Sequence, residues 1–352
     1  MARNKKDISD FDDMLEKQQE KIEDEYEFEF TDEEFELDKK LRHGRRRNTG
    51  HLIFFIVVVI ILIGVGISLA VWNIGTNEDD VYVDEAEFDT EPNDYIQPMT
   101  TEQLAGKTDD GVTTILTIGN STFADDGDDN YVAAALGEAM DAQIINVGIP
   151  GSQMSRSLED DISVMNEGDG ASLYYVTEAL CSGDNSKVTE AAASMGDLAI
   201  SRAERIGTVD MTTVDCVVIF YDITDYINRM LIYSPVSDDD IRSVAGALYA
   251  SVSLLQEQYP YIRIVVMSPP ASGVTIDDYY IDATYIDLGS GAIDDYMGRE
   301  LEVAAGKGIS YIDLMYGAIT VDNRDEYIYD DYHINEAGAK VIAARFKKLI
   351  SL

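Results

Sequence analysis

The stretch Ile115-Leu116-Thr117-Ile118-Gly119-Asn120-Ser121-Thr122-Phe123-Ala124-Asp125 (ILTIGNSTFAD) decides how the chain is read. A β-branched apolar run stops at glycine, asparagine and serine, and a helix-like pattern follows over residues 131–140. Strand, polar turn and helix in that order form the first part of a β-α-β unit. The pattern recurs. Strands are expected at residues 112–118, 143–147, 215–221, 261–267 and 309–313, with helical patterns at 131–140, 238–258, 292–305 and 335–350. Apolar β-rich runs alternating with amphipathic segments indicate a parallel sheet with crossover helices. Residues 155–213 hold more helix than one crossover needs, including 186–206, and read as an elaboration of one domain. There is no internal repeat.

The chain has 352 residues and a formal net charge of −41, which argues against nucleic acid or an anionic lipid surface as partner of the main domain. Residues 1–50 carry 11 Lys/Arg and 16 Asp/Glu of the 26 and 67 in the whole chain, leaving 15 against 51 for the rest. Cys181 and Cys216 are too few for a disulfide framework or a cysteine zinc site. They read equally well as one disulfide or as two buried thiols. The carboxylates show no metal-ligand spacing, and no cofactor is expected.

Residues 52–72, LIFFIVVVIILIGVGISLAVW, carry no charge. As a helix this segment spans roughly 31 Å, enough to cross the hydrocarbon core of a bilayer. The basic cluster around Lys39, Lys40, Arg42, Arg45, Arg46 and Arg47 precedes it, and acidic residues follow. That asymmetry places the N-terminus in the cytoplasm and the C-terminal part outside. A signal peptide cleaved near Ala70 is the rival reading; the long N-terminal tail and the excess apolar length favour an uncleaved anchor. The expected organisation is an acidic cytoplasmic tail ending in a basic cluster (1–50), a transmembrane helix (51–72), an acidic linker that can lie partly against the domain (73–110), and one α/β domain (111–352).

In an open α/β sheet, ligands bind outside the carboxyl ends of the strands. Those ends read Gly119-Asn120-Ser121-Thr122, then Gly148-Ile149-Pro150-Gly151-Ser152, then Tyr221-Asp222-Ile223-Thr224-Asp225, and Asp330-Asp331-Tyr332-His333 precedes the last helix. A serine hydroxyl needs an adjacent base to act as a nucleophile. The histidines are His43, His51 and His333, and the first two lie on the cytoplasmic side of the anchor. His333 is therefore the only base open to Ser121, with Asp330 three residues before it. Each residue also has a plain structural reading: Ser121 as a helix cap, Gly151 as the shaper of a turn after Pro150, His333 as a surface residue. The tyrosine-rich residues 277–285 read as a loop packed on the domain, the alternative being a sugar-stacking surface.

Gly119-Asn120-Ser121-Thr122, Gly151 and Asp330-x-x-His333 in the context DDYHINEAGAKVIA resemble the SGNH (GDSL-type) hydrolase superfamily over roughly residues 111–352. The resemblance implies a flavodoxin-like three-layer α/β sandwich with a central parallel sheet. It implies Ser121 as nucleophile, His333 as base and Asp330 as its orienter. The oxyanion would be held by the N–H groups of Ser121 and Gly151 and by a third-block donor, and Gly338 would be structural. Two blocks depart from the pattern. The first is usually Gly-Asp-Ser, and Asn120 stands for the aspartate. The third is usually Gly-x-Asn-Asp: Asp225 fits, but Thr224 replaces the asparagine whose amide donates to the oxyanion, and Asp222 replaces the glycine. Thr224 is taken as the substitute donor. Asp331 competes with Asp330 as orienter if the turn shifts by one residue.

The resemblance implies a serine esterase or O-acyltransferase, O-acetyl in the first instance, working through an acyl-enzyme. Tethering to a membrane points to a cell-wall or exopolysaccharide substrate, and the resemblance adds a polytopic membrane partner as acyl donor. The alternative is a degenerate domain that scaffolds an envelope assembly without turnover.

Overall fold

The chain forms strands β1 (Thr114–Gly119), β2 (Gln143–Asn146), β3 (Cys216–Phe220), β4 (Arg263–Met267), β5 (Gly273–Ile276), β6 (Tyr279–Asp282) and β7 (Ser310–Ile312). The structure, a computed structural model, describes residues 91–106, 110–125, 130–157 and 165–352. The expected tail, the transmembrane helix and the linker up to residue 90 lie outside the described residues. Among the described residues, no helix is long and apolar enough to cross a membrane.

β1, β2, β3, β4 and β7 make one parallel sheet in the order β2-β1-β3-β4-β7. This is the flavodoxin-like order, with the switch in strand direction of travel between β1 and β3. β1, β3, β4 and β7 are buried along their whole length, which is why they read as near-continuous apolar runs. Helices in chain order are α1 (Thr101–Gly106), α2 (Ser121–Ala124), α3 (Tyr131–Met140), α4 (Leu173–Ser182), α5 (Ser186–Ala192), α6 (Asp197–Ile206), α7 (Thr224–Ile227), α8 (Val244–Gln258), α9 (Ile293–Lys307), α10 (Arg324–Tyr327) and α11 (Glu336–Leu349).

Alternate strand residues build two cores, one on each face of the sheet. Leu116, Ile118, Val217, Ile219, Ile264 and Val266 pack with α4, α5, α6, α8 and α9. Ile115, Val218, Phe220, Val265 and Met267 pack with Val132 and Leu136 of α3 and Ile342 and Phe346 of α11. The result is the three-layer sandwich the motifs imply. Cys216 belongs to the second core and Cys181 packs against the first, so the sheet separates them and no disulfide joins them.

Two segments differ from the sequence reading, and a third makes a contact that the reading only allowed for. Residues 186–206 are two helices, broken where Gly196 takes φ +100° at the start of α6. Residues 273–282 form an antiparallel hairpin, its two-residue turn made by Asp277 (φ 51°) and Asp278 (φ 66°). Both turn residues need positive φ, which aspartate tolerates better than most side chains. Part of the expected linker lies on the fold: Tyr95 N donates to Tyr311 O at 2.9 Å and Tyr311 N to Tyr95 O at 2.7 Å. This strap covers the free edge of β7, and Arg345 fastens it through Asp94 at 2.6 Å.

Glu300 of α9 is buried, and its Oε2 has no partner among the described residues. Burial, helped by Asp225, pushes its carboxyl up to about 8. The folded state thus keeps a proton that the unfolded chain releases near pH 4.5. Stability is fully present below that value and declines as pH rises toward 8. Glu300→Gln is expected to stabilise the protein at pH 8 by on the order of 2–4 kcal/mol and to change little at pH 4. Denaturant unfolding of both proteins at the two pH values checks this.

Candidate active site

β1 ends where Gly119 passes so close to β3 that a Cβ would lie 2.0 Å from Phe220 O. Only glycine fits there. The next residue, Asn120, is fully buried and ties three strand ends together. Its Nδ2 donates to Asp222 Oδ1 at 2.7 Å and to Ser152 O at 3.3 Å, while its Oδ1 accepts from Asp222 N at 3.1 Å. An aspartate at 120 would face the Asp222 carboxylate without a donor. The two departures from the family pattern, Asn120 and Asp222, are therefore complementary. Asn120 also caps α2, whose first residue is the half-buried Ser121.

His333 stands in a loop closed by the Ile328–Ile334 bridge and by Tyr329 N donating to His333 O at 3.0 Å. The loop leads into α11, which Asn335 caps by accepting from Gly338 N at 3.0 Å. Gly338 has a structural reason: a Cβ there would sit 2.6 Å from Tyr327 O. Asp330 Oδ1 accepts from the N–H groups of Tyr332 (3.0 Å) and His333 (2.8 Å), and Oδ2 lies 2.6 Å from His333 Nδ1. Burial acts to raise the Asp330 carboxyl, but these donors outweigh it and hold it below the usual range. An ionised Asp330 on Nδ1 keeps that nitrogen protonated in the neutral ring and leaves Nε2 as the basic nitrogen.

Ser121, His333, Asp222, Asp125 and Tyr332 line one narrow cleft. Asn130, Tyr131, Val132 and Ile334 complete its walls with Thr122. The cleft lies at the carboxyl end of β1, beside the switch point. Among the described residues, Ser121 Oγ makes no hydrogen bond to His333. Catalytic hydrogen bonds are often long in a free enzyme and tighten around substrate. Two larger grooves lie elsewhere, and neither is lined by a histidine.

Two expected oxyanion residues are placed differently. The Thr224 hydroxyl and backbone N both bond to Asp222 Oδ1, the latter at 2.8 Å, so that hydroxyl is not aimed at substrate. The physical reason is the neighbour at position 222: a buried carboxyl oxygen takes the nearest donors. Gly151 (φ +73°) sits in an exposed turn and is not among the residues walling the cleft. Asp225 is buried and accepts from Met154 N (2.8 Å) and Ser155 N (2.9 Å), pinning the loop after β2 to the end of β3.

No protein-family profile matches the chain, and no curated protein does. Solved structures do show likeness. One is a protein from Lactobacillus plantarum, 18% identical, covering 67% of this chain and 95% of its own, with a TM-score of 0.46. Another is described as a lipolytic protein of the G-D-S-L family from Desulfitobacterium hafniense, 14% identical, covering 68% of this chain and 99% of its own, at a TM-score of 0.41. A third is a carbohydrate acetylesterase from Sinorhizobium meliloti, 14% identical, covering 67% of this chain and 97% of its own, at a TM-score of 0.37.

Sequence reasoning missed two features of the site. Asp125 Oδ2 lies 3.8 Å from His333 Nε2. Its signal was present: Asp125 follows Ser121 by four residues, the helical spacing that puts both on one face. The other is the support of the His333 loop. Asp331, the rival orienter, instead accepts from Thr275 N (2.8 Å) and Thr275 Oγ1 (2.7 Å), and its carbonyl accepts from Gly273 N at 2.9 Å. The β5–β6 hairpin is thereby docked on the His333 loop. Tyr329 stacks on the imidazole with ring centroids 5.6 Å apart. Among the described residues, no group of three or more His, Cys, Asp or Glu is arranged to hold a metal ion.

Proposed function

We propose that the chain is an SGNH-type serine esterase or O-acyltransferase. The observation that carries this is the shared cleft: Ser121 on one wall and, on the other, a histidine whose Nδ1 is held by Asp330. In this reading Ser121 Oγ attacks an ester carbonyl and His333 Nε2 takes its proton. The acyl group then passes to water or to a sugar hydroxyl. The narrow cleft favours a short acyl group, acetyl before any longer chain. Asp125 and Asp330 beside the imidazole favour an uncharged ester over an anionic one.

The charge-free segment 52–72 behind a basic cluster supports a single-pass anchor with the domain outside the cell. A tethered domain reaches polymers of the envelope, so the proposed acceptor or substrate is a cell-wall or exopolysaccharide chain. A polytopic membrane protein supplying the acyl group belongs to the same proposal.

The test is hydrolysis of a chromogenic acetyl ester by the full-length protein beside Ser121→Ala. Ser121-dependent hydrolysis is expected, falling at least tenfold from acetyl to octanoyl ester as the acyl chain outgrows the cleft. Mass spectrometry of an added glycan then separates transfer from hydrolysis. The scaffold alternative predicts no hydrolysis by either protein.

A further inference from the structure

Resting on the acyl-transfer reading above, we propose that Asp222 acts as a neutral carboxylic acid whose Oδ2–H donates to the oxyanion, in place of the missing third-block amide. The geometry assigns the two carboxyl oxygens different roles. Oδ1 accepts from Asn120 Nδ2, from Thr224 N and from the Thr224 hydroxyl, as a carbonyl-type oxygen would. Oδ2 has no partner among the described residues, although Asp222 is only 7% exposed. A buried anionic oxygen with no donor is costly, whereas an acid O–H there waits for an acceptor. Asp222 lines the cleft it shares with Ser121 and His333, and its Oδ2 is enclosed in the free protein, so the acceptor this O–H would meet is a carbonyl oxygen that enters at Ser121 and opens the way to it. Thr224 and Asn120 are then positioning residues, which accounts for the threonine hydroxyl being turned away from substrate.

The groups facing Asp222 agree with a neutral state before reaction. Burial pushes its carboxyl up, against the pull of Thr224, Asn120 and His333. Asp225 and Tyr221 flank it at the end of β3, and Asp125, Tyr332 and His333 share its cleft. Of these, the carboxylates oppose a further negative charge, and a protonated His333 alone would favour it.

In the step itself, Ser121 Oγ bonds to the carbonyl carbon as its proton passes to His333 Nε2. The carbonyl π pair moves onto oxygen, which accepts from Asp222 Oδ2–H and Ser121 N–H. Collapse returns the pair, the bond to the leaving alkoxide breaks, and His333 gives that alkoxide its proton. Asp222 keeps its proton throughout, as a neutral acid does in other buried oxyanion sites.

The experiment is the pH profile of kcat/KM for the full-length protein and for Asp222→Asn, with infrared difference spectra of the two. The wild type is expected to lose activity with rising pH as Asp222 ionises. Asp222→Asn, which keeps an N–H donor, is expected to lose the descending limb, and Asp222→Ala to drop about a hundredfold at the optimum. The wild-type spectrum should carry a protonated-carboxyl band, absent from Asp222→Asn, that fades over the pH span of the descending limb. Ser121-dependent hydrolysis with the same profile in Asp222→Asn, or wild-type activity persisting after the band has gone, would overturn this inference alone. No Ser121-dependent hydrolysis would overturn the acyl-transfer reading and this inference with it. If Asp222→Asn does not fold, Asp222→Glu is compared with wild type in the Glu300→Gln background, so that Glu300 adds no protonated-carboxyl band, and a descending limb unmoved by the longer acid overturns the inference.

Discussion

Replacing His333 by glutamine is expected to lower kcat/KM on an acetyl ester by on the order of 10⁴-fold or more, with the fold intact. Ser121 has no other base in reach: among the described residues His333 is the only histidine, and a carboxylate such as Asp125 in the same cleft is too weak a base to replace it. The loop should survive the change. Asp330 Oδ1 accepts from backbone N–H groups at 332 and 333, and those donors remain in the variant. A thermal midpoint close to the wild type, measured beside the rate, separates lost chemistry from lost structure. A variant retaining more than a tenth of wild-type activity would remove His333 from the mechanism.

Asp330→Asn carries the second large effect, roughly 10²–10⁴-fold in kcat. The amide can still accept from the two backbone donors through its oxygen. Its NH₂, placed where Oδ2 now lies 2.6 Å from Nδ1, reverses the polarity of that contact. The neutral ring then carries its proton on Nε2, facing the cleft, and cannot take one from Ser121. Asp331→Asn is the matched control. That carboxylate bonds to Thr275 in the hairpin and not to the imidazole, so its loss is expected to cost less than tenfold. Comparable losses from both variants would mean that loop rigidity, and not the Nδ1 contact, is what Asp330 provides. Steady-state kinetics of the three proteins on one ester decides between them.

Much of the sheet was legible because burial on both faces leaves little room for polar residues in β1, β3 and β4. The strand ends were legible for a related reason: glycine and asparagine interrupt those runs where β1 must pass Phe220 closely and then cap α2. The hairpin was not, because an Asp-Asp turn lacks the asparagine-glycine signal that usually marks one. The sequence allowed the linker to lie against the domain, but composition hid that the strap at Tyr95 does so. Its acidic, proline-containing surroundings resemble a solvated linker, and only the free edge of β7 gives its backbone a partner. In the site, residue types were visible but directions were not. Thr224 reads as a plausible substitute for asparagine until Asp222 is seen to hold its hydroxyl. Asp222 reads only as a replacement for the pattern's glycine until Asn120 is seen to face it. Such pairwise compensation between residues 102 apart in sequence has no local signature.

The most direct test of the central claim is covalent labelling of the full-length protein with a serine-reactive fluorophosphonate, followed by peptide mapping by mass spectrometry. A stoichiometric adduct on Ser121, lost in His333→Gln, is the predicted result. No adduct, or an adduct on a different serine with Ser121 unmodified, would contradict the account.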